Sequence, residues 1–171
     1  MHEGSISPPF YPPASLTFGI LVNSQGQRFI NEDAYHGRVG AYVLAQTDPV
    51  YLIVSVDDYG DYETASYLGA PVAATGETLE ELLVELPLPV AATTDVIERY
   101  NADASDGIDS VWHKSADWLK PLVPPLVALD CTPGRGAFFP YFTLGGLDTR
   151  VSGEVLNHSG DPIKGLYAAG R

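Results

Sequence analysis

Residues 138–146, FFPYFTLGG, bring together the groups of this chain best suited to chemistry. Tyr141 and Thr143 stand two apart, so in extended backbone both hydroxyls face one side. Gly145 and Gly146 follow, and their amides, unshielded by side chains, can donate to a carbonyl oxygen. A tyrosine hydroxyl and bare amides together polarise a ketone towards its enol. The α-hydrogen then becomes acidic, and a second hydroxyl can relay the proton. The neighbouring hydrogen can leave as hydride to an acceptor that must come from outside this chain. Phe139 and Phe142 offer apolar wall to such a ketone. The plainer alternative is that this aromatic run is buried for its area alone.

Other chemistries find less support. His36, His113 and His158 lack metal-ligand spacing, so no metal is expected. Asp57 and Asp58 sit in an acidic turn without the spacing of a calcium loop. No Gly-x-Ser-x-Gly occurs, so a hydrolase nucleophile elbow is not indicated. The net charge of −13 argues against nucleic acid or an anionic membrane as partner. The single cysteine, Cys131, excludes an internal disulfide and suggests a reducing cytoplasm. No apolar run approaches the roughly 20 residues of a membrane span.

The elements that must position these groups are short and mixed, which argues an α+β fold with a small mixed sheet and several helices. At 171 residues the chain fits one domain. Pro8, Pro9, Pro12 and Pro13 make residues 1–15 extended and non-sheet. Leu16–Asn23 alternates through Phe18, Ile20 and Val22. It turns at Asn23–Gly26 and returns over Arg28–Glu32 as a hairpin. Ala34–Gln46 has near-helical spacing, and Tyr51–Val56 is a buried strand by its β-branched content. Thr78 and Glu81 form a capping box before a helix with Leu79, Leu82, Leu83 and Leu86 on one face, ended by Pro87. Thr94–Asn101 starts a second helix, with Ile97 and Tyr100 inward. Asp103–Ser110 is a polar turn, the two tryptophans pack nearby apolar surface, and Leu126–Leu129 is a strand. The last stretch reads as two short alternations, Arg150–Ser152 and Glu154–Leu156. The turn Ser159–Pro162 and a buried strand through Gly165-Leu166-Tyr167 follow.

Three stretches then carry a resemblance over nearly the whole chain. GILVNSQGQRFINE at 19–32, TLGGL at 143–147 and GEVLNHSGDPIKGLYAAG at 153–170 are similar to the flavoprotein family of fumarate reductases and 3-ketosteroid dehydrogenases. The steroid branch matches best. The resemblance implies FAD as cofactor and identifies this chain as the substrate-binding cap domain. Residues 1–18 would lead in from the FAD domain and 19–142 would form the cap. Residues 143–171 would return to that domain. The family's GxGxxG phosphate loop is absent, so FAD would be held mainly by a domain outside this chain. Tyr141 would be the catalytic tyrosine upstream of the paired glycines, with Thr143 where the C4–C5 branch has serine. Tyr35, shortly after Asn31-Glu32, would be a second catalytic tyrosine. Phe139, Phe142, Gly145 and Gly146 would bind substrate, a steroid-like apolar ketone. Ala169, Gly170 and Arg171, the last standing for a glutamate, would contact FAD.

The fumarate branch fits less well. It has an arginine acid four or five residues after Asn-Glu and a histidine directly before TxGG, where this chain has Tyr35 or His36, and Phe142. Dicarboxylates need cationic clamps, and only Arg38 is near. A desaturating dehydrogenase that is inactive as an isolated fragment is therefore the leading reading. A cofactor-free module for an apolar ligand, a fumarate reductase-like cap and a purely structural fragment remain alternatives.

Overall fold

The computed structural model describes residues 17–47, 49–59, 72–135 and 146–170. Its centre is a four-stranded sheet of β1 (Ile20–Val22), β2 (Tyr51–Ser55), β3 (Val72–Gly76) and β4 (Leu126–Asp130), in the order β1-β2-β4-β3. Every pairing is antiparallel, which corrects the mixed sheet expected above. The apolar strands YLIVS and LVALD are buried on both faces. Such runs need helices on both faces, and that cover usually accompanies parallel strands. Here an antiparallel sheet has it.

The strand alternation sorts the core into two layers. Leu21, Leu52, Val54, Val127 and Leu129 face Val39 and Val43 of α1 (His36–Leu44). Ile20, Val22, Ile53, Leu126 and Ala128 face the other way. They meet Leu82 and Leu83 of α3 (Leu79–Val84) and Ile97 and Tyr100 of α4 (Val90–Asp106). A short helix α2 (Val56–Tyr59) replaces the expected acidic turn, because Asp57 and Asp58 fall in its first turn, where carboxylates favour the helix dipole.

The capping box forms with a variation. Thr78 Oγ1 accepts from the Glu81 amide at 3.2 Å, but the Glu81 carboxylate takes the Glu77 amide at 3.0 Å instead of that of Thr78. Helix α4 is longer at both ends than expected and begins directly after Pro89. The first hairpin is shorter, a single bridge between Val22 and Arg28. Its turn is set by Gly26 at φ +72°, where an added Cβ would run into Thr93 of α4.

Strands β5 (Glu154–Leu156) and β6 (Pro162–Tyr167) form a separate antiparallel hairpin. Arg150–Ser152 is a turn and not a strand: the Gly153 amide closes it on Arg150 O at 2.8 Å. β6 was expected to be buried and is not. Ile163, Leu166 and Tyr167 are all exposed, so its apolar content is not covered by the described residues. Among the described residues no helix is long and apolar enough to cross a membrane.

Candidate functional site

Tyr35 occupies the N-cap position of α1 and makes no side-chain cap bond. Its carbonyl accepts from the Arg38 and Val39 amides at 2.8 and 3.1 Å, which starts the helix. The residue is 49 % exposed, and its ring stands 6.5 Å from that of His36. Burial lowers the His36 pKa below the ordinary imidazole value. Tyr35 thus stands half exposed at the start of a helix whose next turns, through Val39 and Val43, are locked into the core.

The chain just before Tyr35 is anchored by a buried group of four charges that sequence reasoning did not single out. Arg28 reaches the Glu32 carboxylate through Nε at 3.1 Å and Nη2 at 2.9 Å, and donates from the same Nη2 to Asp109 Oδ2 at 2.9 Å. Lys114 Nζ lies 3.4 Å from Glu32 Oε2 and donates to Gly19 O at 2.7 Å. Two cations thus meet two carboxylates with every side chain at most 5 % exposed. Both cations also sit on the ring of Tyr100, Arg28 at 4.9 Å and Lys114 at 5.3 Å from its centroid. The one sequence signal was economy. Only nine lysines and arginines occur, and one lies four residues before a glutamate inside an apolar stretch.

The electrostatics follow from burial. Burial by itself would lower the Arg28 pKa, but Glu32 and Asp109 outweigh it and hold the guanidinium fully charged. Burial would raise the Asp109 carboxyl, yet the hydrogen bond from Arg28 and the backbone amides bring it below its usual value. Burial lowers Lys114, and Glu32 offsets only part of that. Burial and then the Glu32 charge push the Tyr100 phenol up, so it stays neutral. Tyr100 Oη donates to Phe18 O at 3.2 Å.

This cluster closes the outer edge of β1. The Leu21 amide donates to Glu32 Oε1 at 2.9 Å, while Gly19 O takes the lysine. Side chains thereby satisfy backbone groups that an edge strand would leave open. Asp109 organises the adjoining loop, its Oδ1 taking the Val111 and Trp112 amides and its Oδ2 the Lys114 amide.

A groove of about 440 Å³ lies on the α4 side, lined by Arg28, Val96, Arg99, Tyr100, Val111 and Trp112 among others. None of the described residues expected to act is among its lining residues. Trp112 therefore borders open space, while Trp118 packs against Phe18 with ring centroids 5.4 Å apart.

Of the expected site residues, Tyr35, Gly146, Ala169 and Gly170 are described. Tyr141, Thr143, Phe139, Phe142, Gly145 and Arg171 lie outside the described residues. Gly146, Ala169 and Gly170 are exposed. Gly170 has φ +94°, and among the described residues nothing stands within 4 Å of where its side chain would begin, so its backbone is open to close approach. Cys131 is fully buried, and burial raises its thiol well above the usual value. Among the described residues no three His, Cys, Asp or Glu gather as a metal site.

Comparison with known proteins supplies the family. A family model described as FAD binding domain matches residues 15–171. The solved 3-ketosteroid-Δ4-(5α)-dehydrogenase from Rhodococcus jostii RHA1, in complex with 4-androstene-3,17-dione, is 40 % identical. It superposes with a TM-score of 0.75 over 95 % of this chain and 34 % of its own. The 3-ketosteroid Δ1-dehydrogenase from Sterolibacterium denitrificans, in complex with 1,4-androstadiene-3,17-dione, gives 26 % identity and a TM-score of 0.66 over 92 % of this chain and 33 % of its own. A cytochrome-type fumarate reductase of Shewanella frigidimarina is 31 % identical over 159 residues, 88 % of this chain and 26 % of its own. The chain thus spans about a quarter to a third of the length of these relatives. It belongs to the FAD-binding domain family of flavin-dependent oxidoreductases.

Proposed function

We propose that this chain is the substrate-binding part of a flavin-dependent dehydrogenase that desaturates a 3-ketosteroid next to its carbonyl. The observation that carries the reading is the presentation of Tyr35. A half-exposed phenol starts α1, in the stretch where the dicarboxylate-reducing branch has an arginine. The nearest cation along the helix, Arg38, is exposed, and its guanidinium lies 5.9 Å from the ring centroid of Tyr42. Dicarboxylates call for bidentate cationic clamps, whereas an apolar ketone calls for hydroxyl donors and hydrocarbon walls. Two solved relatives hold steroid diones, which agrees with this choice.

FAD fits this chain at its end. Ala169 and the open backbone of Gly170 would lie against it, while a phosphate-binding glycine loop is missing from the sequence. When bound, FAD supplies the acceptor for a hydrogen that leaves with its electron pair. The residues of this chain do the rest. Tyr141 and the amides of Gly145 and Gly146 hold the ketone oxygen and stabilise the negative charge that grows there. Tyr35 and Thr143 supply hydroxyls that move the proton lost beside the carbonyl. Phe139 and Phe142 wall the ring system from water.

In the complete flavoenzyme, rapid anaerobic mixing with 4-androstene-3,17-dione or its saturated 5α analogue should bleach the flavin for whichever is the substrate of desaturation. Fumarate should fail to reoxidise the reduced enzyme at a comparable rate. Fast reoxidation by fumarate, with both steroids inert, would overturn the proposal in favour of a fumarate reductase-like cap.

A further inference from the structure

We infer that Glu32 and Asp33 together form the positioning element of Tyr35. This rests on the reading of Tyr35 as a catalytic residue. Tyr35 is 49 % exposed, and the backbone on either side of it sets where its side chain starts. On the far side α1 does this, through the buried Val39 and Val43. On the near side two successive carboxylates act in different directions. Glu32 is tied to the β1 edge by the Leu21 amide at 2.9 Å, and to Arg28 and Lys114 beneath it. Asp33 Oδ2 accepts from the Ser115 amide at 2.8 Å, across 82 residues of sequence, and its Oδ1 accepts from Asn31 Nδ2 at 3.1 Å. The Ala34 amide closes the turn on Asn31 O at 3.1 Å.

One tie would leave a pivot, but ties on neighbouring residues to separate parts of the fold also fix the turn's rotation. Lys114 and Ser115 are adjacent, so one loop meets both carboxylates. The Asp109 carboxylate holds that loop in turn through the Lys114 amide at 3.2 Å. Bonds to an ionised acceptor are the stronger kind, and catalysis is sensitive to displacements of about 1 Å.

Glu32 is the poorer target, because its loss strands two buried cations. Asp33 is partly exposed and serves as the test. In the complete FAD-loaded enzyme, Asp33→Ala should lower kcat on the 3-ketosteroid about tenfold, with KM, flavin content and melting temperature nearly unchanged. Asp33→Asn, which keeps a carbonyl oxygen for the Ser115 amide, should recover most of the rate. In a Tyr35→Phe background, Asp33→Ala should change kcat less than about twofold, since it acts through a hydroxyl already removed. Two results would refute the positioning role while leaving Tyr35 catalytic. One is an unchanged kcat for Asp33→Ala in an enzyme that Tyr35→Phe slows. The other is an equal loss in both backgrounds. If Tyr35→Phe turns over at the wild-type rate, the reading of Tyr35 falls, and this inference with it.

Discussion

At the scale of single residues the chain divides its hydroxyl and charged groups by burial. Tyr100 is buried, neutral and bonded to a backbone carbonyl, so it serves structure. Tyr35 is half exposed on a fixed support, which suits work on a ligand. Cys131 is a packed apolar group and holds its proton. Tyr141 carries the heaviest chemical assignment, and its test separates chemistry from packing. In the complete enzyme Tyr141→Phe should retain FAD and fold yet lose roughly 10²–10⁴-fold in the rate of flavin reduction by a 3-ketosteroid. Phenylalanine keeps the ring, so stability changes little. Thr143→Val should slow the same step while keeping shape. Wild-type flavin reduction by Tyr141→Phe would make Tyr141 a wall residue only.

At the scale of elements much was legible, because local rules governed there. The β-branched run at 51–55 and the leucine spacing at 79–86 declare one strand and one helix. Strand β3 was missed: Val72-Ala73-Ala74-Thr75-Gly76 is mostly small residues with no large apolar side chain beyond Val72, and its pairing with β4 makes it a strand. The buried charge cluster was missed for a related reason. Arg28 and Glu32 lie on one segment and Asp109 and Lys114 on another about 80 residues away, and only the fold brings the two together. Asp109 looked like part of a polar turn but anchors Arg28 and a whole loop. Its carboxyl is held below the ordinary 3.8. The folded state therefore binds fewer protons than the unfolded chain in that range. Its stabilisation is complete above about pH 3.8 and is lost as pH falls further, through the folded value. Asp109→Asn leaves Arg28 short of one charge partner, so at neutral pH it should cost about 3–5 kcal/mol, at the scale of breaking a buried pair. Denaturant melts of the complete enzyme at stepped pH should show that loss shrinking as pH drops below the carboxyl range. A pH-independent difference would show that Asp109 contributes by shape and not by charge.

At the scale of the whole molecule two features point outward from an otherwise closed three-layer core. β6 keeps Ile163, Leu166 and Tyr167 exposed, and the chain beyond it runs to the open backbone of Gly170. An apolar strand is stable only with a covered face, so these residues were reasonably expected to be buried. What covers them is not among the described residues. The family assigns FAD to the chain, whereas the phosphate-holding glycine loop is missing from its sequence. Ala169 and Gly170 can offer van der Waals contact and an amide or two, and Arg171 a single cation, without the glycine loop and helix terminus that cradle a pyrophosphate. Binding through so few contacts cannot offset the entropy of holding a large cofactor. The 171-residue chain, purified alone and incubated with excess FAD, should therefore pass a desalting column without a visible flavin band. The same chain within the complete enzyme should retain the band. Stoichiometric flavin on the isolated chain would show that these residues build a phosphate site of their own, and would end the assignment of this segment as a cap.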